Sequence, residues 1–487
     1  MPSAGLAMLA VLAALVAGTG LPVWALLVAV ASLAAALGVV AGVLDAGVLG
    51  VVYPRIVNLL EHDLLQAMPL YIFIGFLLQR LPVADALYRC LARLLRGTGA
   101  GAALAALGSG ALLAPMNGSV ASSSALLSRL IAPRLAGLAP ARALALTAAA
   151  ATIGVVVPPS LVLLLLGDAM MRAHTEASNL APAVFAEQRI INTQDVLHAA
   201  LLPALAVVAL WALVAWRKGR KALTTDGTAM RPLVARDIAL GGGAIAGVLV
   251  LLGAVFTGRM LAVEAAATGG CLLAVLAAAT RALPARAWSE VLLDTLALSG
   301  ALFALLVGAT TFSLVLGLFG TGSWLAQVTA GAPGSALWLL AAVAACAWVL
   351  DAFELIFVVV PVVAPLLALQ LHDAQQAAVL LLLVLQAGFL LPPLGYAILM
   401  TRVHARLPAV STRMLLRAVA PYVGVQLLVG AAVYLAPAVV HQLDVPGAQS
   451  RAPAAPELDE DLMRRMREMA PAPSPEDAPA SQAAQPR

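Results

Sequence analysis

The chain has 487 residues, 62% of them hydrophobic and 11% charged, with a net charge of +4. Soluble domains average about 45–50% apolar and about 25% charged, so a mean hydropathy of +0.99 excludes a water-soluble globule. The positive charge is almost all arginine, with Lys218 and Lys221 the only lysines; it sits in short loops, which reads as membrane orientation and excludes a nucleic-acid surface.

The apolar runs are rich in Ala, Leu, Val and Gly and lack strand alternation, so they predict helical spans rather than a barrel. They fall at about 4–18, 21–43, 69–80, 140–170, 197–216, 237–256, 260–280, 299–319, 375–400 and 417–441. The first has no basic leader and runs straight into the second, so it reads as a span and not a signal peptide. Residues 44–66 and 285–298 mix charged and apolar residues and predict amphipathic helices at the interface. Residues 442–487 are Pro, Ala and charge, which predicts a disordered tail with one short helix around Glu457–Met469.

Two further apolar regions, 100–135 and 335–370, are interrupted near the middle. The first breaks at Pro115-Met116-Asn117-Gly118-Ser119 and the second at Asp351-Ala352-Phe353-Glu354. Each half falls short of the ~20 residues of a comfortable span, so both predict re-entrant helical hairpins. The basic residues of the 217–236 loop predict a cytoplasmic loop. Counting outward, the first hairpin enters from inside and the second from outside, residues 172–196 lie outside, and so do both termini.

The chain has two Pro-Pro pairs, in GVVVPPS (154–160) and GFLLPPLG (388–395). Gly154 and Gly388 stand 234 positions apart, as do Pro158 and Pro392, and the same offset carries Asn117 onto Asp351. Each half therefore reads as a hairpin break followed 41 residues later by Pro-Pro. Four crossings between the Pro-Pro segments invert the second copy relative to the first, an architecture common in secondary transporters.

Proline lacks an N–H and blocks the carbonyl four residues back, so Pro158 and Pro159 release the carbonyls around Gly154 and Val155. Unsatisfied backbone costs several kcal/mol at membrane depth unless protein, water or an ion satisfies it. Sodium suits such oxygens, and the tip adds Asn117, Gly118, Ser119, Ser122, Ser123 and Ser124. Asp351 and Glu354 lie between apolar runs, where ionisable groups are expensive and usually functional. They suit cation binding, proton relay or capping of the second hairpin helix, roles that can coexist. No Arg or Lys sits at either tip, so an anionic substrate there would rest on helix N-termini and hydroxyls; Arg129 and Arg134, nearer the hairpin base, read as topology signals. There is no P-loop, and the six histidines lack metal-ligand spacing, so the chain does not read as an enzyme. Cys90, Cys271 and Cys346 read as buried thiols, and Gly241-Gly242-Gly243 and Gly269-Gly270 as close helix contacts.

As a set, these motifs resemble the large membrane subunit of tripartite ATP-independent periplasmic (TRAP) transporters. The likeness is carried by MPLYIFIGFLLQRLPVADALYRCLARLL, NGSVAS, GVVVPPS, VEAAATG, LVGATTFSLV, LDAFELIFVVVPVVAPLL and GFLLPPLGYAI, over about residues 20–440. It implies an all-α, polytopic, elevator-type secondary transporter in the bacterial cytoplasmic (inner) membrane. Sodium would be the coupling ion, with no other cofactor. The substrate would be a small organic acid, such as a dicarboxylate. The partners would be a periplasmic substrate-binding protein and a small four-helix membrane subunit.

Carried over by position, one sodium site uses Asn117 and Ser119 with Gly154, Val157 and Pro159. The other uses Asp351 with Gly388, Leu391 and Pro393. Substrate falls to Asn117, Gly118, Ser119, Ser122, Asp351 and Glu354. The implied division is 1–99 scaffold spans and interfacial helix, 100–172 first hairpin and broken helix, and 173–334 scaffold with the 217–236 loop. Then follow 335–401, the second hairpin and broken helix; 402–441, the last span; and the tail, 442–487. The chain departs from the family in lacking a Ser-Gly-Ser first tip and in carrying an acidic second tip. That acidity leaves a proton-coupled organic-anion carrier using Asp351 and Glu354 as the alternative.

Overall fold

The computed structural model describes residues 2–443 except 61–62, 118, 136, 159, 186–190, 221–234, 331, 333, 393–394 and 406–409. The expected tail and most of the basic loop lie outside these residues. Among the described residues all regular structure is helical, and six helices are long and apolar enough to cross a membrane, or eight if each of two bent pairs is one span. The expectation of an all-α polytopic membrane protein is met.

Burial sorts the helices by environment. Only 11% of Asp237–Phe256 is buried against protein, whereas 67% of Ala352–Leu371 is. Leu249, Val250, Leu272, Val275 and Leu276 are exposed apolar side chains on Ala235–Phe256 and Ala262–Ala279, which a lipid solvent accepts and water does not. The innermost helices are Pro140–Val156 and Ala374–Phe389, buried at nearly every position. Both are largely apolar on every face, as a helix with no outward face must be, and their buried Gln and Thr side chains hydrogen-bond to protein groups.

Several expectations need adjustment. Residues 285–298 are no separate interfacial helix: Ala285–Leu318 is continuous over 34 residues. At 1.5 Å per residue that is about 51 Å, longer than a hydrocarbon core of about 30 Å. No Pro or cap interrupts it, so the charged start simply continues the span. The 69–80 run begins earlier, as Asp63–Arg80, and bends by 72° into Val83–Leu94 at Pro82, whose ring ends the first helix. Residues 44–66 divide into a 3₁₀ turn, a short helix Val52–Leu60 and the start of Asp63–Arg80. The ends of the 217–236 loop are helical, since Thr193–Arg220 and Ala235–Phe256 run into it.

None of the cysteines is fully buried; Cys271 is exposed and Cys90 and Cys346 are half-buried. Cys271 sits on an outer face of Ala262–Ala279 that this chain leaves uncovered. Gly241 is a close contact, because a Cβ there would meet the Ala86 carbonyl oxygen at 2.6 Å, but Gly242 and Gly243 face open space. Gly269 and Gly270 approach Leu251 and Ile74.

Candidate functional site

Each interrupted region folds as two helices joined by a short tip. The first is Gly101–Leu113, a 3₁₀ turn Pro115–Asn117, and Val120–Ile131. The second is Ser335–Cys346, a turn over 347–350, and Ala352–Glu354 leading through a π-helical turn, Leu355–Val359, into Val360–Leu371. The π turn has a local cause: Pro361 cannot donate to the Phe357 carbonyl and its ring crowds that oxygen, so the helix widens.

The Pro-Pro pairs break their helices as the sequence implies. Pro140–Val156 ends at Val157, whose backbone is extended, and Leu161–Leu180 starts 43° away. Ala374–Phe389 ends before Tyr396–Ala405 begins. The glycine that opens each G-x-x-x-P-P lies against a hairpin tip. A Cβ on Gly154 would stand 2.5 Å from the Ala114 carbonyl carbon, and one on Gly388 2.6 Å from Ala347 Cβ. Only glycine lets these backbones approach so closely.

A small cavity of ≈ 10 Å³ lies where the first tip meets the first break, lined by Ser119, Ser123, Gly154, Val155 and Ser160 among others. That is about the space of one water-sized particle. Ser119 and Ser160 are both N-caps: Ser119 Oγ accepts from Ser122 N at 3.0 Å and Ser160 Oγ from Leu163 N at 3.1 Å. Two helix N-termini, with their positive ends, therefore converge on this point. So do the negative ends of Gly101–Leu113 and Pro140–Val156, and Pro158 supplies no N–H to the Gly154 carbonyl. A site with both polarities side by side suits a cation and an anion together.

The second seat is less open. The Gly388 carbonyl accepts from Leu391 N at 3.2 Å and the Leu391 carbonyl from Gly395 N at 2.9 Å. Asp351 N donates to Glu354 Oε2 at 3.1 Å, so the acids brace the start of the helix. Asp351 Oδ1 is nevertheless buried without a hydrogen-bond partner among the described residues.

The candidate residues thus form two groups. Ser119 and Ser122 lie at the first tip, where Ser119 shares the small cavity with Gly154, and Asp351 and Glu354 lie at the second tip, whose preceding turn residue Ala347 packs against Gly388; Val157 and Leu391 lie in the two breaks. Gly118, Pro159 and Pro393 lie outside the described residues, as does the Asn117 side chain. Ser122 Oγ accepts from Gln79 Nε2 at 2.7 Å, which ties the tip to Asp63–Arg80. Arg134 has a structural partner beyond any topology role, pairing with Asp85 at 2.5 Å and lying 4.8 Å from the Tyr88 ring centroid.

Sequence reasoning passed over Ser160, although Ser after Pro-Pro and before an apolar run is an N-cap signal. It also passed over Gln386, which carried no motif. Gln386 Nε2 donates to the Thr152 carbonyl at 3.2 Å, a pair separated by 234 residues. Gln426 Nε2 donates to Gln386 Oε1. All three residues are buried.

Buried broken helices, two tipped helix pairs and outer helices with exposed apolar faces are those of a polytopic membrane protein. The fold is similar to that of the Alcanivorax borkumensis YdaH transporter, with a TM-score of 0.53 and 16% identity over 80% of this chain and 89% of that one. No curated protein matches the chain. Residues 6–439 match the DctM component of tripartite ATP-independent periplasmic transporters, and the chain belongs to that family. It is a TRAP large permease subunit, a transporter and not an enzyme, and its family implies a small membrane subunit and a periplasmic binding protein as partners.

Proposed function

We propose that the chain carries out sodium-coupled uptake of a small organic acid handed over by its binding protein, in the bacterial cytoplasmic membrane. The observation that carries this reading is the first seat, where two helix N-termini, two helix C-termini and three serines meet around the ≈ 10 Å³ cavity. Sodium would take the carbonyl side (Gly154, Val157) with Ser119, and the substrate carboxylate the N-terminal side. The second tip, with Asp351, Gly388 and Leu391, would hold the second sodium. A membrane potential adds ~2.3 kcal/mol per net charge per 100 mV to the driving force.

We further propose that the halves are inverted repeats and that the hairpins with their broken helices, 100–172 and 335–401, move as one elevator body against the remaining spans. Two lines of support come from symmetry. Thr152 and Gln386 are equivalent under the 234-residue offset, and their contact is what a two-fold axis passing close to both would give. Val120–Ile131 packs on Tyr396–Ala405, and Val360–Leu371 packs on Leu161–Leu180, the same pair with the halves exchanged.

Uptake into proteoliposomes holding both membrane subunits, with the binding protein outside, tests the reading. A sodium gradient should stimulate uptake of a labelled carboxylate, and stimulation by a pH gradient alone would refute sodium coupling. The unpartnered Asp351 Oδ1 favours proton coupling through Asp351 and Glu354 as the second reading, and the same assay separates the two.

A further inference from the structure

We infer that a second, larger cavity receives the carboxylate before it reaches the tips, and that Arg55 and Arg172 recognise it there. The inference rests on the proposed uptake of an organic acid. The cavity measures ≈ 380 Å³, within the about 300–1,000 Å³ of small-molecule sites. It lies between Val52–Leu60 and Ala285–Leu318 on one side and Leu161–Leu180 and the π turn on the other. In the proposed division these are the scaffold and the moving body. In the proposed orientation the end of Leu161–Leu180 that carries Arg172 and Glu176 is external, the side on which a binding protein delivers its cargo.

The chemistry of the lining differs from the tips, which carry no Arg or Lys side chain. Arg55 and Arg172 come from different elements and face one space, with the Thr310 and Ser313 hydroxyls beside them. Asp168, 7% exposed, holds Arg172 Nη2 at 2.5 Å, and the Arg172 side chain is 45% exposed. One carboxylate oxygen on one nitrogen orients the guanidinium, which offers five N–H donors in a planar fork. Glu176 also lines the cavity, within the electrostatic reach of Arg55. The two acids balance the two arginines, so the empty cavity carries no net charge, and an incoming carboxylate brings the charge that sodium at the seats then offsets.

The proposed symmetry gives a reason for a cavity here. In the first half, Gln79 bonds Ser122 and closes the gap between span and tip. The offset carries that pair onto Ser313 and Ile356, which are not bonded to each other and both line the cavity. The contact that shuts one side is replaced on the other by a short hydroxyl and an aliphatic chain, which leaves an open vestibule.

The test uses the complete three-part system in proteoliposomes, with labelled succinate, 2-oxoglutarate and benzoate as probes. Arg172→Gln and Arg55→Gln should each raise KM about tenfold or more, the effect expected for losing a charged hydrogen bond, with kcat within about twofold. Arg172→Lys, which keeps charge and bulk but not the fork, should fall between and guards against misfolding of the glutamine variant. Wild-type KM in both Arg55→Gln and Arg172→Lys overturns the inference while leaving the transport reading intact. If the wild-type system takes up none of the three acids under a sodium gradient, transport reading and inference fall together.

Discussion

Gly154→Ala is the sharpest probe of the first seat. The new Cβ would stand 2.5 Å from the Ala114 carbonyl carbon, 2.6 Å from its oxygen and 2.8 Å from Pro115 N. Reaching ordinary contact at 3.4 Å requires the tip to withdraw by about 0.9 Å. All three atoms are backbone, so no side chain can swing aside. Alanine gains about 1 kcal/mol over glycine in a helix, while overpacking costs about 1–3 kcal/mol. With backbone on both sides the upper end applies, for a net penalty of about 2 kcal/mol, or about thirtyfold in an equilibrium constant. The penalty falls on the closed tip, the arrangement proposed to bind sodium. The sodium concentration for half-maximal uptake should therefore rise about thirtyfold, while the purified protein stays monodisperse. Gly424→Ala, where a Cβ meets nothing within 4 Å, should behave as wild type. An unchanged sodium dependence in Gly154→Ala would show that this contact is packing alone.

Pro158→Ala with Pro159→Ala restores two N–H donors to the Gly154 and Val155 carbonyls; uptake should be abolished while membrane insertion, read by fractionation, persists, and normal uptake would remove the break from the mechanism. Gln386→Leu leaves the Thr152 carbonyl without its side-chain donor and Gln426 Nε2 with only a long bond to the Leu383 carbonyl at 3.4 Å, and should cost about 1–3 kcal/mol, seen as a lower Tm in detergent; an unchanged Tm would mean the network contributes no net stability. Asp351→Asn should weaken sodium affinity yet leave uptake sodium-driven. Loss of a pH-gradient stimulation present in the wild type would instead make Asp351 the proton carrier.

Hydropathy and proline were enough to read the membrane class, the two tips and the two broken helices, because apolar run length and a missing N–H act locally and need no neighbour. The 234-residue offset also lay in the sequence, since matching motifs keep their spacing whatever they touch. Local reasoning failed where neighbours decide. Residues 285–298 carry charge that suits an interface, yet nothing in them stops a helix, and they continue into the span as Ala285–Leu318. Cys271 looked like a core residue because lipid and protein interior select the same side chains; only its place on an outer helix separates them.

What tertiary structure alone decided is which distant residues meet. Hydropathy placed Thr152 and Gln386 on apolar helices, and packing brought them together. Gly154 reads in sequence as one more small residue, and becomes a requirement only when the Ala114 backbone lies against it. Arg55 and Arg172 are 117 positions apart and read singly as ordinary charges. The fold turns them toward one cavity. A helix break is written in a few consecutive residues, whereas a binding site is written in distances between elements, and those distances exist only once the helices have packed.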